Sequence, residues 1–225
     1  MANQLSKVVE RFLGKLFLPR LQALGHYGPR QFAYGQGRSY KDALALCVCD
    51  WIWALSHKCR IGLYCSDVAG AFERVSSERL RSVLSKLHLH ESIFRLLCSW
   101  LECRSAYVIV DNERSHHFSL KDMVFQGTVL GPPLWNLFFA SIAVVVNALE
   151  FKEVVFADDL NSYRKYHCDA SDATITKDLK GCQSSVHDWG RTHQVEFVRE
   201  PFCIFNFRLA YCSTSCSNSY RIAIS

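Results

Sequence analysis

The chain has 225 residues, 49% of them hydrophobic and 21% charged, with a formal net charge of +5 at neutral pH. That composition excludes an intrinsically disordered segment and leaves room for one sizeable core, or for one domain and part of another. The modest basic excess is compatible with a nucleic-acid partner without requiring one. Taken in chain order, residues 4 to 24 show helical periodicity through Val8, Val9, Phe12, Leu13, Leu16 and Leu18, and Pro19 is expected to interrupt it. A glycine-rich stretch covers residues 27 to 39, and a helix is expected from about Tyr40 to His57. Residues 60 to 66 read as a central strand leading to Asp67. Ser76-Ser77-Glu78 opens a helix to about Leu87, and Glu91 to Arg104 gives another. Ala106 to Val110 and Phe118 to Phe125 read as two strands around an Asp-Asn-Glu-Arg turn. Pro132-Pro133 precede an apolar helix, because a first helical turn needs no N–H donor. Val154 to Phe156, the pair Asp158-Asp159 and Asn161 to Tyr166 read as a hairpin. Asp172 to Thr192 reads as a polar-faced helix, and Val195 to Phe207 as one or two short strands. The last residues, from Leu209, carry no clear period and are expected to be poorly ordered.

Eleven cysteines invite a disulfide or zinc reading, but their number is odd and none form a C-x-x-C pair. The N-terminus lacks the apolar core of a signal peptide. Reduced thiols, buried as small hydrophobes in an intracellular protein, are the expectation, and no basic cluster separates nucleus from cytoplasm. Cys212 and Cys216 with His193 fit no standard metal-site spacing. The apolar stretch Leu134 to Leu149 carries Asn136 and Asn147 and falls short of the about 20 residues a bilayer requires, so a buried core helix is expected rather than a membrane partner.

The site signal is a set of three motifs in order. The first is Tyr64-Cys65-Ser66-Asp67-Val68-Ala69-Gly70-Ala71-Phe72-Glu73. The second runs from Phe125-Gln126-Gly127-Thr128 to Leu134-Trp135-Asn136, and the third is Phe156-Ala157-Asp158-Asp159 inside an apolar run. Ionised carboxylates beside an apolar core must be paired or must bind a cation. Each piece has a plainer reading when taken alone. Asp67 could end a strand, Asp158-Asp159 could be a hairpin turn, Phe72 could be core, Gln126-Gly127 a turn and Arg38 a surface charge.

Together the motifs resemble the palm of a reverse transcriptase of the non-LTR (LINE-type) retrotransposon family, over about residues 8 to 205. Family members carry an Asp followed five residues later by an aromatic, as at Asp67 and Phe72. Their Gln-Gly-(Ser/Thr)-x-x-x-Pro-x-Leu-(Phe/Trp)-Asn matches Gln126 to Asn136, and their aromatic-Ala-Asp-Asp matches Phe156 to Asp159. Gln31 to Ser39 resembles the fingers motif Gln-Phe-Gly-Phe-Arg-Pro-Gly-Arg-Ser.

The resemblance implies an α+β fold, a right-hand polymerase palm and fingers with an antiparallel palm sheet packed on helices, the thumb missing. It divides the chain into fingers at 1–60, a first palm part at 61–102, a joining β-hairpin at 103–125, a second palm part at 126–207 and a disordered tail at 208–225. It implies RNA-directed DNA synthesis with RNA template, DNA primer and dNTPs. Asp67, Asp158 and the carbonyl of Val68 would hold two Mg²⁺ ions, with Mn²⁺ as substitute, and Asp159 would either help or serve the hairpin. Phe72 would act as a steric gate against a ribose 2′-hydroxyl, Gln126 and Gly127 would line the nucleotide pocket, and Arg38 would meet the triphosphate. Phe72 and Ala157 also separate the chain from RNA-dependent RNA polymerases, which usually place Asp and Gly there.

Departures from the pattern leave alternatives open. Pro201 stands where the family places a lysine that protonates the leaving pyrophosphate, and neither proline nor the neighbouring Arg199 is a useful acid. Gly35 replaces the first arginine of the fingers motif. The alternatives are an inactive, truncated or degenerate retroelement remnant that at most binds nucleic acid, and a group II intron maturase-type enzyme.

Overall fold

The computed structural model describes residues 4–102, 104–120, 122–198 and 201–206. The expectations for the tail, for Cys212 and Cys216 and for Arg199 fall outside them. The chain divides into two compact units. One comprises the described residues up to Pro29 with Gly70–Ala140 and Thr192–Val195. The other comprises Arg30–Ala69, Ser141–Arg191 and the described residues from Glu196 onward.

The second unit is built on a four-stranded antiparallel sheet. In chain order its strands are β1 (Arg60–Ser66), β7 (Lys152–Phe156), β8 (Asp159–Tyr166) and β10 (Phe202–Phe205), and in space they run β10-β1-β8-β7. Strand β1 is buried along most of its length, as its apolar run predicts. Side chains alternate across the pleat, so Ile61, Leu63, Val154 and Tyr163 share one face. Helix α2 (Tyr40–Ser56) packs there through the small residues Ala43, Cys47 and Ala54, which let the helix approach closely. Its start is fixed by a capping box in which Ser39 and Asp42 exchange side-chain and backbone hydrogen bonds. The opposite face takes helix α7 (Asp172–His193), whose Ile175, Leu179, Cys182 and Val186 recur at helical spacing. Gly62 sits under that helix, where an added Cβ would lie 2.8 Å from Ile175. A small ladder joins β2 (Val68–Ala69) to β9 (Glu196–Phe197).

The first unit is mostly helical. It contains α1 (Gln4–Ala23), a 3-10 turn over Ala71–Arg74, α3 (Ser77–Ser85), α4 (Glu91–Leu101) and α5 (Gly131–Phe139). Helix α3 packs on both α4 and α5. The expected hairpin appears as two short ladders, β3 (Arg104–Ala106) with β6 (Phe118–Leu120) and β4 (Ile109–Val110) with β5 (Glu113–Arg114).

Four expectations are corrected. Helix α1 continues through Pro19, which is exposed, so water can satisfy the carbonyl whose bond is lost. Its buried face is Glu10, Gly14, Phe17 and Leu21, not the apolar series, and Val8, Val9, Phe12 and Leu16 are exposed. The apolar helix is two helices, α5 and α6 (Ile142–Ala148), and the break falls at Ala140–Ser141, where the chain passes from one unit to the other. Gly131–Ala148 is long and apolar enough to cross a membrane, yet every α5 residue except Pro132 is buried in protein. Finally, the described cysteines are all free, but only Cys47 and Cys182 among them are buried.

Candidate active site

Three carboxylates, Asp67, Asp158 and Asp159, lie at one end of the four-stranded sheet. Strand β1 stops at Ser66, which pairs with Leu160, so the next register position sets Asp67 opposite Asp159. Phe156 pairs with Asp159, leaving Ala157 and Asp158 as the two-residue turn between β7 and β8. The Asp67 backbone is held from the far side of the strand: its carbonyl accepts from the Val198 N–H at 2.9 Å. Ser66 donates to the Val198 carbonyl at 2.8 Å, and the Val68 N–H donates to the Asp67 carboxylate at 2.8 Å. Partial burial and then the charges of Asp158 and Asp67 raise the Asp159 pKa above the usual carboxylate range. Asp67 and Asp159 are exposed and Asp158 is half-buried. Solvent-accessible carboxylate oxygens are the ligands that a hard divalent cation prefers, so the residue types suit Mg²⁺ or Mn²⁺, but the three do not all bring their oxygens within 4.8 Å of one another. Val68 is buried and pairs with Phe197.

The turn itself is strained. Ala157 has φ 58°, in the left-handed region that costs a non-glycine residue about 1–2 kcal/mol. Arg38 lies in the segment that passes beside this turn. It donates to the Gln31 carbonyl at 2.8 Å, and its guanidinium rests 5.7 Å from the Phe32 ring centroid. Pro201 is exposed immediately before β10, whose Phe202 pairs with Tyr64, so it too stands at the carboxylate end of the sheet.

The remaining candidates belong to the first unit. Phe72 is half-buried, with its ring 5.9 Å from that of Trp135, and its carbonyl accepts from Val124 at 2.7 Å. Gln126 and Gly127 form an exposed turn, with Gly127 at φ 80°, a conformation that glycine adopts without strain. Thr128 donates to the Phe125 carbonyl at 2.6 Å and accepts from Gly131, and a Cβ on Gly131 would strike both groups.

Across known proteins, the family model described as "Reverse transcriptase (RNA-dependent DNA polymerase)" matches residues 3–200. The chain belongs to the reverse transcriptase family. Among solved structures, this reverse transcriptase domain is similar to telomerase from Candida tropicalis in complex with a TWJ fragment of telomeric RNA. The TM-score is 0.61 at 13% identity, covering 87% of this chain and 33% of that one. Apo telomerase from the same organism, truncated from its C-terminal domain, gives 0.60 at 13%, covering 91% and 41%. Telomerase from Candida albicans with the same type of RNA fragment gives 0.58 at 13%, covering 92% and 34%. At such identity the likeness establishes the fold, a mixed polymerase-type α+β architecture with an antiparallel sheet. The chain spans between a third and about two-fifths of the length of those structures. No curated protein sequence matches it.

Sequence reasoning on the reverse transcriptase domain missed three residues beside these motifs. Gln31 is buried and reaches Ala157, Tyr34 is exposed, and Glu10 is buried against the turn that follows Gly127. Burial and then the Asp158 charge raise the Tyr34 phenol pKa. Its φ of 59° marks a second strained non-glycine residue in the neighbourhood.

Proposed function

We propose that this reverse transcriptase domain is an RNA-directed DNA polymerase of the non-LTR retroelement type, extending a DNA primer on an RNA template with dNTPs. The observation that supports this reading is the register that sets Asp67 opposite Asp159 with Asp158 in the adjoining turn. Residues 1–60 act as fingers, 61–102 and 126–207 as palm, and 103–125 as the joining hairpin. The protein works inside the cell, where dNTPs and RNA are found.

On this reading Asp67, Asp158 and the Val68 carbonyl hold two Mg²⁺ ions, which supply positive charge at the attacking and leaving oxygens of phosphoryl transfer. The protein's own part is positioning. Asp159 adds negative potential that draws the cations to the sheet end. The Phe72 ring bars a ribose 2′-hydroxyl, Gln126 and Gly127 line the nucleotide pocket, and Arg38 meets the triphosphate. The non-LTR reading rests on the Gln126–Asn136 motif, which matches that family's signature nearly residue for residue, and a group II intron maturase-type enzyme, whose fingers and palm are similar, is the alternative.

Pro201 favours a second reading, a domain that binds nucleic acid without polymerising. A lost general acid costs about 10²–10⁴-fold in rate, and proline has no proton to give. Primer extension on oligo(dT)-primed poly(rA) separates the two. Extension with Mg²⁺ or Mn²⁺ that Asp67→Ala and Asp158→Ala abolish is the expected result. Folded protein that extends nothing with either metal would leave the binding reading standing.

A further inference from the structure

Gln31 is 6% exposed and takes no part in the chemistry above. Its backbone lies along β7 as a parallel bridge to Val155: the Val155 N–H donates to the Arg30 carbonyl at 3.0 Å, and the Phe32 N–H donates to the Val155 carbonyl at 2.9 Å. From that anchor the side chain reaches the turn that carries Asp158. Its amide oxygen accepts from the Ala157 N–H at 3.3 Å and from the Ala33 N–H at 3.1 Å. Its amide nitrogen donates to the Ala157 carbonyl at 3.5 Å. One side chain therefore grips both peptide groups of a residue that is 8% exposed. At the tip of a two-residue hairpin Ala157 lies outside the strand ladder. The grip also holds the left-handed φ that alanine resists.

We propose that Gln31 is a positioning residue for the metal-binding carboxylates: by clamping Ala157 in its left-handed conformation it fixes the turn from which Asp158 projects, and so sets the affinity of the Asp67–Asp158 pair for divalent cations. The proposal rests on the two-metal polymerase reading above. A turn with positive φ at its first central position normally carries glycine there. This chain has alanine instead and supplies the missing conformational preference from a distant side chain.

The relation between positions 31 and 157 makes the proposal testable. Mn²⁺ binding to the purified chain, followed by electron paramagnetic resonance, reads the site without relying on turnover. Gln31→Met keeps the volume and removes both hydrogen-bonding groups, so it should weaken Mn²⁺ binding about tenfold, the scale typical when a group supporting a metal ligand is removed. In extension assays it should raise the Mg²⁺ concentration at half-maximal rate, with most of kcat recovered at saturating metal. Ala157→Gly should bind Mn²⁺ as the unaltered chain does, and Gln31→Met/Ala157→Gly should regain most of the lost affinity, because glycine adopts this φ unaided. If Gln31→Met alone does not fold, the double variant is compared with Ala157→Gly, and equal affinities are expected. Unchanged Mn²⁺ affinity in Gln31→Met, or a double variant as weak as Gln31→Met, would overturn the clamp. Failure of the unaltered chain to bind Mn²⁺ more tightly than Asp67→Ala/Asp158→Ala would overturn the polymerase reading itself, and the clamp with it.

Discussion

Glu10 shows how much one buried carboxylate can organise. It is 3% exposed; one oxygen accepts from the Val129 and Leu130 N–H groups at 2.6 and 3.2 Å, the other from the Trp100 indole and the Ser6 hydroxyl at 3.3 Å each. Leu130 is the N-cap of α5 and offers no side-chain cap of its own; Thr128 takes the Gly131 N–H, and Glu10 takes the N–H groups of Leu130 and of Val129 before it. A negative charge at that end also complements the helix dipole. Glu10→Leu removes the acceptor of two backbone amides, and should cost about 2–4 kcal/mol in urea unfolding, whereas Glu10→Gln, which keeps an acceptor, should cost about 1 kcal/mol. Equal losses in the two variants would mean that volume, not hydrogen bonding, matters at this position. The contrast with Asp67, Asp158 and Asp159 explains which site residues the sequence makes legible. Carboxylates at the ends of apolar strands stand out against their own neighbours. Gln31 and Glu10 act on backbone groups more than a hundred positions away, and a lone polar residue whose partner is a remote peptide N–H leaves no local pattern.

Between elements, a polar tie in the second unit joins α2 to strands β7 and β8 of the sheet. Asp50 on α2 accepts from Lys152 on β7 and from the Tyr163 hydroxyl on β8, both at 2.8 Å, and from Lys165 on β8 at 3.3 Å. Burial pushes its pKa up, but the hydrogen bonds from Lys152, Tyr163 and Lys165 outweigh that and hold it at about 2. Because the folded value lies below the unfolded one of about 3.9, the tie contributes stability above that pH and loses it as pH falls towards 2. Asp50→Asn should therefore lower stability at pH 7 by about 1 kcal/mol, discounted for solvent screening, and the deficit should close between pH 4 and 2. A deficit in the melting temperature that stays constant across that window would contradict the assignment. At this scale most elements are legible: β1 from its apolar run, α2 and α3 from their caps, β7 and β8 from the hairpin around the Asp pair. The face that a helix buries is less so. The apolar series of α1 predicts a helix but not its buried side, which carries Glu10, Gly14, Phe17 and Leu21 while Val8, Val9, Phe12 and Leu16 are exposed. The break between α5 and α6 leaves no mark in an apolar run and falls where the chain changes unit.

The whole chain is woven, and the carboxylate site depends on the weave. Neither unit is a continuous segment; the second takes Arg30–Ala69, Ser141–Arg191 and residues from Glu196 onward. Ile61 in β1 pairs with Lys165 on one side and with Phe205 on the other, so a central strand from the first third of the sequence waits for both its neighbours. Such non-local pairing carries a large loop-closure entropy and favours cooperative over piecewise formation. The carboxylates follow the same division, with Asp67 on one piece and Asp158 and Asp159 on another. Cutting the chain between Ala140 and Ser141, where it passes between units, should show this directly. The fragment 1–140 retains β1 with Ile61 and Tyr64, fully buried in the intact chain, and leaves both edges of that strand unpaired. Exposed apolar strands with free edges aggregate. That fragment alone should be insoluble or lack a cooperative melting transition, while co-expression with 141–225 should return a soluble complex that binds Mn²⁺ like the uncut chain. A soluble 1–140 fragment with its own cooperative transition would show instead that the first piece folds without its partners, and that the site is assembled afterwards from preformed parts.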